Sequence, residues 1–449
     1  MPVLLWYRRD LRLGDLPALS AALAQDPQVL CCFVFDPRLE AGSGQRRLQF
    51  LAQCLRGLRD DLSGRLLITR GDPIQRIPAI AREIAASAVH VSEDFAPYGR
   101  RRDERVRAAL GDIPLIATGS PYLVSPGRIV KADGSAYRVF TPFYRRWREH
   151  GWRRPADSRP PAAGWIDPAR LAVHAAAPVE IPDVGGALPV PAGESAALHH
   201  WRAFVDSGLQ HYERDRNRPD RDASSRMSVY LKFGNVHPRT LAADLDPDRP
   251  GASAYLRQLA FRDFYADVLY HWPGSAWANW NSDFDTIQTD TDAQARRLFE
   301  RWCTGQTGYP IVDAGMRELR ATGLMHNRVR MIAASFLVKD LHLPWQWGAR
   351  WFLDQLLDAD LANNQHGWQW CAGSGTDAAP YFRVFNPTVQ GRTFDPDGSY
   401  VRRWVAELAD VADAHLIRAS APPGYPQPIV DHGRERLEAL RRYHDLGTS

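Results

Sequence analysis

The sequence predicts an α/β N-terminal domain with a doubly wound, parallel five-stranded sheet, joined by a long linker to an all-α domain. Three observations lead there. Residues 1–135 alternate short apolar runs with helical patterns, residues 136–195 lose their periodicity among clustered Pro, Ala and Gly, and from residue 196 strand signals vanish. Alternation of that kind suits a parallel sheet, because each strand must be followed by a crossover helix that carries the chain back.

The strands are expected at 3–8, 29–35, 65–70, 88–92 and 114–118, where runs such as VLLWYR and VLCCFVF are apolar throughout. Such runs fit strands covered on both faces. Helical spacing falls near 17–25, 45–63, 74–86 and 99–110. Sheets of this class take ligands beyond the carboxyl ends of their strands, which directs attention to Asp10, Asp36 and Glu93–Asp94. No G-x-G-x-x-G follows the first strand, which excludes the usual dinucleotide fingerprint. The linker, 136–195, contains RPADSRPPAAG and AAAPVEIPDVGGALPVPAG. Beyond it helices are expected at 196–208, 224–233, 251–272, 293–303, 310–322, 325–341 and 346–357.

Composition narrows the class. The 449 residues are 45% hydrophobic, enough for sizeable cores, and 56 basic against 52 acidic side chains leave only +4, which excludes a polycation. The first 150 residues hold 23 basic and 16 acidic side chains, a net +7, and the rest of the chain −3, so a nucleic-acid surface on the helical part must be a local arginine patch. Only three basic residues are lysine, Lys131, Lys232 and Lys339. Five cysteines without a C-x-x-C pair signal neither a zinc site nor a disulfide framework. The opening MPVLLWYRRD reaches charge too early for a signal peptide, and no apolar run approaches the ~18 residues of a membrane span, so a cytoplasmic protein is expected. Fifteen tryptophans, concentrated after residue 200, exceed what a core ordinarily uses.

Three segments carry candidate chemistry. SSRMSVYLKFG, 224–234, sets Ser224, Ser225, Arg226 and Ser228 at a helix start, which suits either a phosphate cradle or a plain capped helix. GLMHNRVRMIAASFLVKD, 323–340, puts Asn327 and Met331 one turn apart with Arg330 nearby, a pattern that also suits a solvated face. LLDADLANNQHGWQWCAGSGTDAAPYFRVFNP, 356–387, reads as a ligand-lining loop. There Asp358 and Asp360 repel unless something pairs with them, and Arg330 is the natural partner.

Together with WYRRDLRLGD at 6–15 and TGYPIVDAGMREL at 307–319, these segments resemble the DNA photolyase and cryptochrome family over nearly the whole chain. Among its members the chain is most similar to bacterial class I cyclobutane pyrimidine dimer photolyases. The resemblance implies an antenna-type domain at 1–135, a linker at 136–195 and a helical FAD- and DNA-binding domain at 196–449. It places the FAD phosphates on Ser224, Ser225, Arg226, Met227 and Ser228, with Tyr212 upstream. Asp358 and Asp360 match the acidic pair beside the flavin, Arg330 the arginine paired with the first, and Arg262 and Asn327 further flavin-pocket positions. Asn364 matches the residue facing the reactive ring nitrogen, where an amide favours reduced flavin.

The implied activity is light-driven repair of cyclobutane pyrimidine dimers in DNA by electron transfer from excited reduced FAD, with no catalytic nucleophile or metal. A cryptochrome-like photoreceptor is the rival. Trp368 matches the flavin-proximal member of a photoreduction relay and Trp345 the middle one, while Asp292 stands where most relatives carry the outer tryptophan. Trp302, Trp351 or Tyr381 could substitute. The lesion, flipped out of the duplex, would meet Gln258, Phe261, Met331 and Trp370, with Arg216 and Arg328 on lesion or phosphate and Arg214, Arg218 and Arg383 along the backbone. Gln258 and Phe261 depart from the commoner Glu and Trp. Glutamine also occurs in relatives that repair the (6-4) photoproduct, but Asn327 and Met331 replace the two histidines those enzymes use. Tyr98-Gly99 stands where folate-binding relatives carry Asn-Glu, so a second, antenna chromophore would be a deazaflavin or flavin. The protein is expected to act as a monomer.

Overall fold

The computed structural model describes residues 1–157, 164–171, 177–377, 382–411 and 422–446. Five strands, β1 (Val3–Tyr7), β2 (Val29–Phe35), β3 (Leu66–Arg70), β4 (Val89–Val91) and β5 (Leu115–Ala117), form one sheet in the order β3-β2-β1-β4-β5. Every pairing is parallel, with Leu5 opposite Cys31 and Cys32 opposite Leu67. All twelve residues of β1 and β2 are buried, as their unbroken apolar runs require. The helices Pro17–Gln25, Gln45–Asp61, Pro73–Glu83 and Pro97–Leu110 return the chain between strands. Three of these open on proline, whose missing N–H costs nothing in a first turn. The strand order reverses between β1 and β4, the switch point beside which such sheets take ligands.

The chain forms two compact units: Met1–Tyr137, Thr141–Gln210 and Ser225–Pro273 make one, and Arg138–Phe140, His211–Ser224 and Gly274–Ser449 the other. The first holds the sheet together with the helices Glu194–Ser207, Met227–Phe233 and Pro250–His271. Gly234 ends the Met227–Phe233 helix at φ +68°, and a Cβ there would stand 2.0 Å from the Arg9 carbonyl oxygen. Only glycine admits that approach. It lets Leu11 N–H donate to Phe233 O at 3.2 Å and Arg12 Nη1 to Gly234 O at 2.9 Å.

The second unit is built from the helices Ala293–Thr304, Pro310–Thr322, Asn327–Lys339, Trp345–Gln355, Leu361–Ala372, Pro387–Phe394, Ser399–Trp404 and His432–Asp445. Its core gathers Trp302, Met316, Val329, Phe336, Phe352 and Trp368. Two segments differ from the expectation. The stretch expected as a ligand-lining loop, 356–387, contains the Leu361–Ala372 helix, whose inward face includes the polar Gln365 and Gln369, while its residues 378–381 lie outside the described residues. Both glutamines donate to buried carbonyls, Gln369 Nε2 to Ser275 O at 2.7 Å and Gln365 Nε2 to Ala276 O, so the apolar period is masked although the face is buried. Beyond the helices expected from spacing, residues His432–Asp445 form a further helix capped by Asp431. It is anchored by His432 Nδ1 at 2.5 Å from the buried Asp340 and by Arg442 on Asp290.

Candidate functional site

In the second unit the Asn327–Lys339 helix starts where His326 Nδ1 accepts from the Arg328 N–H at 3.1 Å. Burial pushes the His326 pKa down to about 4, so the cap is the neutral ring. One turn along, Arg330 Nη2 reaches both oxygens of Asp358 at 3.1 and 2.9 Å and its Nε donates to Met325 O. Asp358 is buried, and a lone carboxylate there would be costly, so the guanidinium is what makes it tenable. Asp360 has a different task. It accepts from the N–H and side-chain amide of Asn363 and so caps the Leu361–Ala372 helix. The two close carboxylates are thus separated by their partners.

Asn364 lies in the first turn of that helix. Its Nδ2 donates to Ala349 O at 3.0 Å and to Gln365 Oε1 at 2.7 Å. With both amide hydrogens held, Oδ1 is fixed as the acceptor. Asn327 and Met331 meet as their spacing predicts, Nδ2 to Sδ at 3.9 Å. Arg328 bonds Asn217 Oδ1 and stacks over Phe394, and Arg216 lies over the Tyr212 ring. Arg214 and Arg218, expected along a DNA backbone, are paired with Asp215 and Asp220.

In the first unit, Ser225 Oγ bonds Tyr255 OH at 2.8 Å and accepts from the Met227 N–H at 3.4 Å. Arg226 between them is held at φ +49°. Gln258 and Phe261 lie one turn apart on the Pro250–His271 helix. The Gln258 Nε2 is buried and meets no partner among the described residues. Phe261 packs near Tyr265 with the Arg257 guanidinium over its ring. Arg262 donates to Pro121 O at 2.7 Å and stacks over Tyr122.

Residues 3–162 match the family model described as DNA photolyase, and 255–445 match the FAD binding domain of DNA photolyase. The chain is 37% identical to the deoxyribodipyrimidine photo-lyase of Synechococcus sp. over 99% of this chain and 97% of that one. It belongs to the DNA photolyase family. A class III photolyase from Agrobacterium tumefaciens has the same fold, with a TM-score of 0.89, 33% identity, and coverage of 100% of this chain and 98% of that one. An archaeal photolyase from Sulfolobus tokodaii, solved with two FAD molecules, matches at a TM-score of 0.87 and 30% identity over 99% of this chain and 100% of that one. No helix among the described residues is long and apolar enough to cross a membrane.

The residues expected to form an electron relay in this photolyase-family chain are placed as follows. Asp292 is exposed and accepts from the Ala295 N–H at 2.8 Å, so a helix cap stands where an outer tryptophan would be expected. Trp345 is buried and its indole N–H donates to Asn279 Oδ1 at 2.9 Å. Trp368 meets Phe352 and Trp302. Tyr381 lies outside the described residues. Trp370 lines a cavity of about 210 Å³ with Cys371, Lys339, Phe382 and Tyr443. There Lys339 donates to Arg383 O at 2.5 Å and lies over Phe382, and burial pushes its pKa down to about 8.

Sequence reasoning passed over Gln369, Asn279 and Gly348. Gln369 clamps the 275–280 segment through Ser275 O and the Trp280 N–H, and that segment carries the Asn279 that holds Trp345. A Cβ on Gly348 would stand 2.1 Å from the Trp368 ring, so the glycine makes room for that indole. Helical glycine opposite a bulky aromatic was the available signal. Beyond β1 and β4, a cavity of only about 20 Å³ is lined by Arg8, Asp10, Ser92 and Asp94, room for roughly one water. The space around it is taken by Arg8 on Asp103, Arg102 on Asp94 and Ser92 on Asp10, while Asp36 caps a helix and accepts from Tyr98.

Proposed function

We propose that the protein repairs cyclobutane pyrimidine dimers in DNA under blue light, with FAD as its catalytic cofactor. The observation that carries this reading is the anchored Asn364 amide, within the segment matched to the FAD-binding domain of the family. When bound, reduced and excited, FAD supplies the electron that opens the cyclobutane ring and takes it back afterwards. The residues present fit that group. Ser224, Ser225, Arg226, Met227 and Ser228 with Tyr212 hold its phosphates by hydroxyls, N–H groups and one fixed charge. Asp358, paired with Arg330, and Asp360 line it with Arg262 and Asn327. Asn364, its Nδ2 held by Ala349 O and Gln365 Oε1, would present Oδ1 as an acceptor to the flavin.

On the substrate side, Gln258, whose Nε2 meets no partner among the described residues, would donate to a pyrimidine carbonyl of the lesion. Phe261, Trp370 and Met331 pack against the flipped bases, and Arg216 and Arg328 contact phosphate. Extrusion costs a few kcal/mol, less for the already distorted pair a dimer makes. A second chromophore, of deazaflavin or flavin type, would sit beyond β1 and β4, where Arg8, Asp10, Ser92 and Asp94 line a small cavity. The protein acts as a cytoplasmic monomer in this reading.

The test is an oligonucleotide with one thymine dimer, given to chemically reduced protein in light and in darkness. Restoration in light alone is expected. A normal FAD spectrum without restoration in light overturns the repair reading and leaves a photoreceptor.

A further inference from the structure

Trp368 is 3% exposed, and its indole N–H meets no acceptor among the described residues. Two rings lie against it edge to face, Phe352 at 5.0 Å between centres and Trp302 at 6.0 Å. A benzene ring is far harder to oxidise than an indole, so of the two only Trp302 can give up an electron. Trp302 in turn stacks on Phe299 at 5.8 Å and 18°, and Phe299 meets Trp347 edge-on at 5.4 Å. Trp347 is half-buried, with the exposed Arg296 guanidinium 5.4 Å over its ring. Aromatic rings therefore run in unbroken contact from the buried Trp368 to an indole that reaches solvent, while Asp292 offers nothing oxidisable.

We propose that in this protein Trp302 returns the electron lost by Trp368, and that Trp347 is the solvent-facing end of the relay. The proposal rests on the reading of Trp368 as the residue beside a flavin. The Trp302 N–H donates to Ala333 O at 3.1 Å, and that carbonyl dipole stabilises the positive charge an oxidised indole carries. Trp368 has no such acceptor among the described residues, so the positive charge runs outward. Trp302 passes one electron to the Trp368 radical cation and becomes a radical cation itself. Buried, it keeps its proton. Trp347 then passes one electron to Trp302 across Phe299, which bridges the indoles without being oxidised. The oxidised Trp347 loses its N–H proton to water, helped by the Arg296 charge, which disfavours the cation. The neutral radical takes one electron and one proton from an external thiol, and two thiyl radicals so formed join as a disulfide.

The test uses the FAD-loaded protein, its Trp347→Phe, Trp302→Phe and Trp345→Phe variants, and Trp277→Phe as an exposed control. Flavin content and thermal midpoint are recorded for each. Pulsed excitation of the oxidised flavoprotein reads the long-lived neutral tryptophan radical, and illumination without thiol followed by peptide mass spectrometry locates the oxidised indole. The parent and Trp277→Phe are expected to give the radical and to carry the oxidation on Trp347, and Trp347→Phe to lose the long-lived radical. Because Trp302 is fully buried, the half-buried Trp347 is the decisive position. Retention of the radical in a folded, flavin-loaded Trp347→Phe, with loss in Trp345→Phe, assigns the exit to Trp345 and overturns the proposal. Protein that takes up no FAD fails the flavin reading itself, an outcome the spectrum separates from the other.

Discussion

Phe261 illustrates how much one side chain decides. It shares a helix face with Gln258, and the Arg257 guanidinium lies over its ring. A base stacked on an aromatic side chain gains about 1–3 kcal/mol. An indole offers more area than a phenyl ring, so Phe261→Trp is expected to tighten binding to dimer-containing DNA by roughly 1 kcal/mol, a factor of about five. Titration of a labelled oligonucleotide with and without the lesion reads it. Unchanged discrimination between the two removes Phe261 from the lesion contact. Asp358 and Asp360 make a related point, because two carboxylates separated by one residue acquire different tasks from their partners, Arg330 for one and a helix start for the other.

At the scale of elements, the Trp345–Gln355 and Leu361–Ala372 helices pack where Gly348 yields to the Trp368 indole. Gly348→Ala gains up to about 1 kcal/mol of helix propensity but forces the ring aside, and overpacking of that kind costs about 1–3 kcal/mol. A lowered thermal midpoint with an altered near-ultraviolet signal from Trp368 is the expected result. A raised midpoint would mean that the helices separate freely and that Trp368 is loosely held. The 275–280 segment, tied down by Gln365 and Gln369, holds Trp345 through Asn279, so indole placement here depends on polar clamps as well as packing.

Stability as a property of the whole molecule has a pH dependence rooted in buried acids. Burial pushes Asp263 up to about 6 and Asp267 up to about 7, although Asp263 accepts from Trp147 and Val124 and Asp267 from Gly127. An unfolded aspartate titrates near 3.9, so between about pH 4 and 7 the folded chain binds more protons and these groups lower stability as pH rises. His326 acts oppositely, favouring unfolding as pH falls from about 6.5 towards 4. The difference between Asp267→Asn and the parent cancels that slope. Its stability advantage is expected to grow from about pH 4 to 7, by on the order of 1 kcal/mol or more, and then to level off. Denaturant titration at pH 4.5 and 8 reads it, and a flat difference denies Asp267 its raised affinity for protons. The sequence by itself determined the five strands, most of the helices and the Arg330–Asp358 pair. Apolar runs, helical spacing and charge pairing are local or nearly so, and they survive into the fold. The tertiary structure alone decided that 361–372 is a helix, because glutamines bonded to carbonyls of a distant segment count as buried yet read as polar. It alone decided that Trp302 lies against Trp368, 66 positions away. Ring contact between such residues follows from how three helices cross, and no spacing along the chain encodes that.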